Sequence, residues 1–241
     1  EDDNDFYQSA VAFGNFQKML GDFPASELYE TIPNFHNTPK RYENFLASLE
    51  KNASGRKDTA LEEIEFVNKR KDFMSLLEDS HKEGKLPLKV THNDTKMNNV
   101  MLDKDTREPV CVVDLDTIMP GYSVNDFGDS IRFGASTAAE DEKDLSRVGL
   151  DLFMFETFVE GFVTELRGYI SDEEILSLPM GAYLMTLEVA IRFLGDYLSG
   201  DVYYHILYPE QNRDRARNQL KLLSDMDAKM ADMNEIVRKY L

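Results

Sequence analysis

The sequence predicts a mainly α-helical fold with a small β-hairpin at its centre, an α+β arrangement. Two observations carry this. Apolar residues recur at helical spacing on both sides of the middle of the chain, while residues 86–113 instead hold short runs rich in β-formers. No internal repeat or low-complexity tract divides the 241 residues, which are enough to bury a sizeable core.

Phe6, Ala10, Phe13, Phe16 and Leu20 define a first helix ending before Gly21. Pro39 opens a second, marked by Tyr42, Phe45, Leu46 and Leu49 and closing near Ser54-Gly55. Thr59-Ala60-Leu61-Glu62 has the form of a capping box. It predicts one longer helix through Ile64, Val67, Phe73, Leu76 and Leu77 to Gly84. Leu86–Val90 is too short and proline-broken to be an ordinary helix. Val100-Met101-Leu102 and Val110–Val113 flank a polar segment and predict a hairpin with a long turn, while Met119–Ser123 reads as loop. Helix returns after Asn125, with one segment from about Leu145 to Leu166. A capping box at Ser171–Glu174 opens another that runs to Gly200 and bends at Pro179. The last helix starts at Tyr208-Pro209. Its Met226, Met230 and Met233 read as core, and Arg213, Arg215, Arg217 and Lys221 as a solvated face.

Composition narrows the function classes. Apolar residues make up 42% and charged residues 30%, as in ordinary globular chains. Lys and Arg number 27 against 45 Asp and Glu, a formal charge of −18. That balance opposes a nucleic-acid groove and an anionic membrane surface. No uninterrupted apolar run approaches bilayer length. Cys111 is the sole cysteine, expected to be an inert buried thiol, and a reducing, cytoplasmic location is the simplest reading. No two of the four histidines are four apart, so a helical histidine pair for a metal is excluded.

The chemistry concentrates in one string. His92-Asn93-Asp94-Thr95-Lys96-Met97-Asn98-Asn99 has the pattern His-x-Asp-x-Lys-x-x-Asn, and Asp114 follows in Val112-Val113-Asp114-Leu115-Asp116. A hairpin turn centred between Thr106 and Arg107 would set Asn99 opposite Asp114, about 5 Å apart. An amide oxygen and a carboxylate there, with water and phosphate oxygens, suit magnesium. In an extended chain Asp116 would point to the same side as Asp114. Asp94, at the base of the hairpin, is free to accept a proton, and Lys96 supplies a cation near a transferring group. Together these are the parts of a phosphoryl-transfer site.

These strings resemble the catalytic loop and metal-binding turn of the protein-kinase-like fold. More closely, they resemble the aminoglycoside phosphotransferase and choline kinase family. His92–Lys96, Asn98-Asn99-Val100, Val113–Thr117, Met119-Pro120-Gly121 and Asp126-Phe127-Gly128-Asp129 are most similar to its N-acetylhexosamine 1-kinase members. The resemblance covers the whole chain as the family's C-terminal lobe, with a helical part at 1–90, a catalytic loop and metal-binding hairpin at 91–124, and a helical substrate-binding part at 125–241. It implies Asp94 as catalytic base, Asn99 and Asp114 as magnesium ligands, and ATP as co-substrate. It implies sugar contacts at Asp116, Arg192 and Tyr203, and structural support from His92 and Asp126. From its setting alone, Arg192 either pairs with a buried acid or faces a cleft. Asp114-Leu115-Asp116 stands where protein kinases carry Asp-Phe-Gly, which argues against a flipping activation turn and against protein substrates.

No Gly-x-Gly-x-x-Gly or Walker pattern occurs among the thirteen glycines. The expectation is that the nucleotide-covering N-terminal lobe is absent from this chain. This chain alone would then not turn over ATP, and the bared surface would be apolar and prone to dimerisation. The rival readings are an aminoglycoside, choline or homoserine kinase of the same fold, and a non-catalytic helical module that binds a basic partner.

Overall fold

The computed structural model describes residues 2–241. Eight α-helices frame two short antiparallel strand pairs among these residues. Helices α1 (Asp3–Met19), α2 (Thr38–Lys51), α3 (Leu61–Asn68) and α4 (Leu76–Lys82) precede the strands β1 (Lys89–Thr91), β2 (Val100–Leu102), β3 (Pro109–Val112) and β4 (Met119–Gly121). Then come α5 (Ser123–Gly134), α6 (Leu152–Glu165), α7 (Asp172–Ser199) and α8 (Gln211–Arg238). The arrangement is the mainly helical α+β one that the sequence predicts.

Helix α7 is the axis of the core and packs against α2, α5 and α8, while α1 lies on α6. Its ends follow the sequence closely. Ser171 and Glu174 form the reciprocal capping box, and Gly200, at φ 100°, closes the helix in the left-handed conformation. Pro179 is accommodated inside the helix. By length and composition α7 is the one helix among the described residues that could cross a bilayer, yet 83% of its most apolar window is buried inside the fold. A helix apolar over most of its surface is what a core position demands. Met226 and Met233 are fully buried on α8 and pack in the same core.

Several expectations need correction. The single helix from Thr59 to Gly84 is broken into α3 and α4. Arg70 sits at the break, donating to the Tyr183 hydroxyl, the Phe66 carbonyl and Asp227, so tertiary bonds hold the chain out of helical register. Thr59 does not cap α3. Its hydroxyl donates to the Arg56 carbonyl and also meets the Tyr197 hydroxyl. Met119-Pro120-Gly121 is not loop but β4, paired with β1. The last helical stretch before Ser171 begins at Leu152, not Leu145, and α5 fills 123–134.

The hairpin is in a different register. Asp103 pairs with Glu108, and its side chain also accepts the N–H groups of Asp105 and Thr106. An irregularity between Met101 and Leu102 then sets Val100 opposite Val112. Asn99 therefore faces Val113, whose N–H donates to its carbonyl at 2.9 Å, and Asp114 lies one step beyond. Cys111 is on β3 as predicted but is exposed, because it lies on the side of the hairpin away from the core, against which Val100 and Val112 pack.

Candidate active site

Strand β1 delivers the chain to the loop His92–Lys96, which is held by hydrogen bonds to α5 and also by Thr117, whose hydroxyl donates to the His92 carbonyl and whose carbonyl accepts from the Asn93 side-chain amide. The fully buried Asp126 accepts the N–H groups of His92 and Asn93 at 3.0 and 2.8 Å, and Gln17 of α1 donates to it at 2.7 Å. Burial pushes the Asp126 carboxyl above its ordinary pKa, against those donors. Thr95 donates its N–H to Asp129 and its hydroxyl to the Asp126 carbonyl, and Ser130 donates to the Thr95 carbonyl. Burial alone would raise Asp129, but the Arg132 guanidinium beside it holds its pKa below the usual carboxylate range. Asn93 takes φ 66°, a left-handed conformation that asparagine tolerates better than most residues, and so turns Asp94 outward.

Asp94 is the least buried of the loop's first four residues. Its carboxylate pairs with Lys96 at 2.7 Å, and the Asn99 amide donates to its carboxylate at 3.2 Å and to its carbonyl at 2.8 Å. His92 is wholly buried against Phe13 and Phe16. Its Nε2 donates to the Val113 carbonyl at 2.9 Å and its Nδ1 accepts the Asp94 N–H at 3.3 Å, so one ring joins the loop to the turn carrying Asp114.

Asp114 adopts φ 60°, ψ 60°, and residues 115–117 form a tight 3-10 turn. The chain is not extended here, so the two-residue spacing does not place Asp116 and Asp114 on one side. Asp114 and Asp116 are exposed, and neither carboxylate has a protein partner among the described residues. No cluster of three or more His, Cys, Asp or Glu suited to a metal occurs among the described residues. A magnesium ion whose shell is completed by nucleotide phosphates and water needs fewer protein ligands. The donor chemistry fits such an ion: the Asn99 amide nitrogen is engaged by Asp94, leaving its Oδ1 to accept, and the Asp114 carboxylate is open.

Asp94 and Lys96 open onto a cleft of about 380 Å³. Arg192, Tyr203, Tyr204, His205 and Arg215 also line it, so Arg192 and Tyr203 share the cleft with Asp94. Asp116, Asn99 and Asp114 do not line it, although Thr117 does. No carboxylate pairs with Arg192 among the described residues. Its guanidinium instead sits 5.4–5.9 Å from the ring centres of Phe35, Tyr203 and Tyr204. Of the two settings open to Arg192, the structure gives the cleft. Burial pushes the Tyr204 phenol up to about 12, so it stays protonated as a donor.

Several residues of the site escaped the sequence reading. His36, from the loop before α2, bonds through Nδ1 to Glu188 and through Nε2 to the Asn93 carbonyl, both at 2.9 Å. Asp196 accepts the N–H groups of Val202, Tyr203 and Tyr204 and so fixes the loop that presents the tyrosines. Arg132 bridges Asp129 and Glu140 on the cleft wall. Arg213 and Arg215 are largely covered and Arg215 faces the cleft, which corrects the reading of that helix face as solvated. A signal was available: Glu188, Arg192 and Asp196 are spaced by four in an apolar helix, which places three charges on one face.

A model of the phosphotransferase enzyme family (APH) matches residues 2–153, more than half of the chain. The match spans the loop, the hairpin and α5, and ends before Arg192 and Tyr203.

Proposed function

The chain belongs to the phosphotransferase enzyme family, whose activity is ATP-dependent phosphoryl transfer, and from that premise we propose that it serves a small-molecule kinase acting on a sugar hydroxyl. An N-acetylhexosamine is the acceptor put forward. The observation that carries the reading is that Asp94 opens onto one cleft shared with Arg192 and Tyr203. In this reading the acceptor hydroxyl lies against Asp94. Its oxygen forms the new bond to the γ-phosphorus as the bond to the β-phosphate oxygen breaks, ADP leaves with that electron pair, and Asp94 takes the proton. Asn99 and Asp114 would hold magnesium, which neutralises phosphate charge. Lys96 leaves its pair with Asp94 for the phosphate, freeing the carboxylate to accept. Arg192 donates to acceptor oxygens, and the Tyr203 ring, 69% exposed, offers an apolar face for a sugar ring to stack on. Asp116, outside the cleft, would act only on an acceptor that extends past Thr117.

A panel of acceptors with ATP, run on the full-length protein and followed by ADP release, tests this. N-acetylglucosamine or N-acetylgalactosamine should give the highest kcat/KM. Preference for an aminoglycoside, choline or homoserine would retain the kinase and reject the sugar. Magnesium-dependent ATP binding without any turnover would favour the non-catalytic module.

A further inference from the structure

The peptide unit joining Asn93 to Asp94 is held at both ends by imidazoles. Its N–H donates to His92 Nδ1 at 3.3 Å, and its carbonyl accepts from His36 Nε2 at 2.9 Å. A peptide plane fixed at its oxygen and its hydrogen has little freedom to tilt, and the Asp94 side chain leaves from its edge.

We propose that His36 is a positioning residue: an imidazolium whose two N–H groups tie the Asn93 carbonyl to Glu188 of the central helix and so set the direction in which Asp94 enters the cleft. This rests on the reading of Asp94 as the base. The hydrogen bonds themselves require the charge. A carbonyl can only accept, so Nε2 carries a proton. At Nδ1 the partner is Glu188, whose other oxygen accepts from the Thr38 hydroxyl at 3.0 Å. The Glu188 carboxylate also lies in the field of Arg41 and Arg192, neither of which has a carboxylate ion pair of its own among the described residues. Both Glu188 oxygens therefore act as acceptors, and Nδ1 donates to one of them. Burial by itself would lower the pKa of the ring, but Glu188 and the Asn93 carbonyl hold it above the ordinary 6.5.

Other titratable groups face this ring. Asp129 of α5 adds negative potential. Glu30 and Glu78 line a cavity of about 120 Å³ with His36, and burial raises Glu78 to about 7. An alkaline change in activity could therefore come from Glu78, and Glu78→Gln is the control.

The test is an NMR titration of the histidine Cε1 protons in this chain between about pH 5.5 and 9.5, with hydrogen exchange at the Asp94 amide and kinetics of the full-length protein. His36 should titrate above its ordinary value. Glu188→Gln, which keeps the shape and removes the charge, should lower that midpoint by about one unit or more. Asp94 amide exchange should quicken at least about tenfold, beyond its intrinsic pH dependence, as the ring deprotonates. His36→Gln should lower kcat with little change in KM for ATP and remove the alkaline limb of the pH profile, which Glu78→Gln should leave in place. A His36 ring neutral throughout, or a midpoint unmoved by Glu188→Gln, would overturn the proposal. So would unchanged kcat in a folded His36→Gln. If no acceptor is ever phosphorylated, the NMR and exchange results still decide the clamp, while the kinase reading fails separately.

Discussion

Asp126 receives the backbone N–H groups of two consecutive residues, His92 and Asn93, one on each carboxylate oxygen. This pairing sets the loop before any ligand arrives. Asp126→Ala would leave both N–H groups and the Gln17 amide unsatisfied in a closed interior. The expected loss is about 3 kcal/mol or more, read as a lower urea midpoint at unchanged slope.

Asp94 makes no such structural bonds to the core, so its removal should act on rate. Asp94→Asn in the full-length protein should lower kcat about 10²–10⁴-fold, with the thermal midpoint nearly unmoved. A loss below tenfold would remove it as the base.

Asp114 is exposed and its carboxylate has no protein partner among the described residues, so Asp114→Ala should cost little stability. In calorimetry of the full-length protein it should abolish the magnesium-dependent part of ATP binding. Asn99→Ala should weaken that binding less and also loosen Asp94, because the Asn99 amide donates to the Asp94 carboxylate and carbonyl.

Acid should unfold the protein partly through Asp129. Arg132 keeps its pKa below the ordinary 3.8, so its stabilising contribution is complete above that value and is lost as pH falls through the folded pKa. Asp129→Asn should lower stability at neutral pH and flatten the acid limb of the stability curve.

Helices α5 and α7 meet through glycines. A Cβ on Gly128 would come within 2.5 Å of the Gly181 carbonyl oxygen, which is backbone and cannot swing aside. Gly128→Ala should cost about 1–3 kcal/mol and, through α5, disturb the Asp126 anchor. Retention of full activity and midpoint would contradict this coupling.

The helices with clear caps and wide apolar stripes were legible in the sequence, α7 most of all, since Ser171, Glu174 and Gly200 specify its ends locally. The α3–α4 break was not, because it depends on Arg70 reaching Asp227, 157 residues away. The hairpin was visible, but its register followed turn chemistry at Asp103 that a symmetric turn does not anticipate. At the site, Asp94, Asn99 and Asp114 stand within one recognisable string. His36 and Glu188 are 152 residues apart and acquire meaning only once folded together.

On α7, Glu188, Arg192 and Asp196 follow one another at successive turns and govern the loop bearing Asp94, the cleft wall and the tyrosine loop in that order. Their shared phase makes the helix intolerant of insertion. One residue added between Gly181 and Glu188 would swing all three by about 100° into the apolar interior. Beyond Gly200 the helical phase no longer applies, but Asp196 still pins residues 202–204 through their N–H groups. Extra length could therefore be added only after Tyr204, varying that part of the cleft while the part bearing Asp94 keeps its geometry.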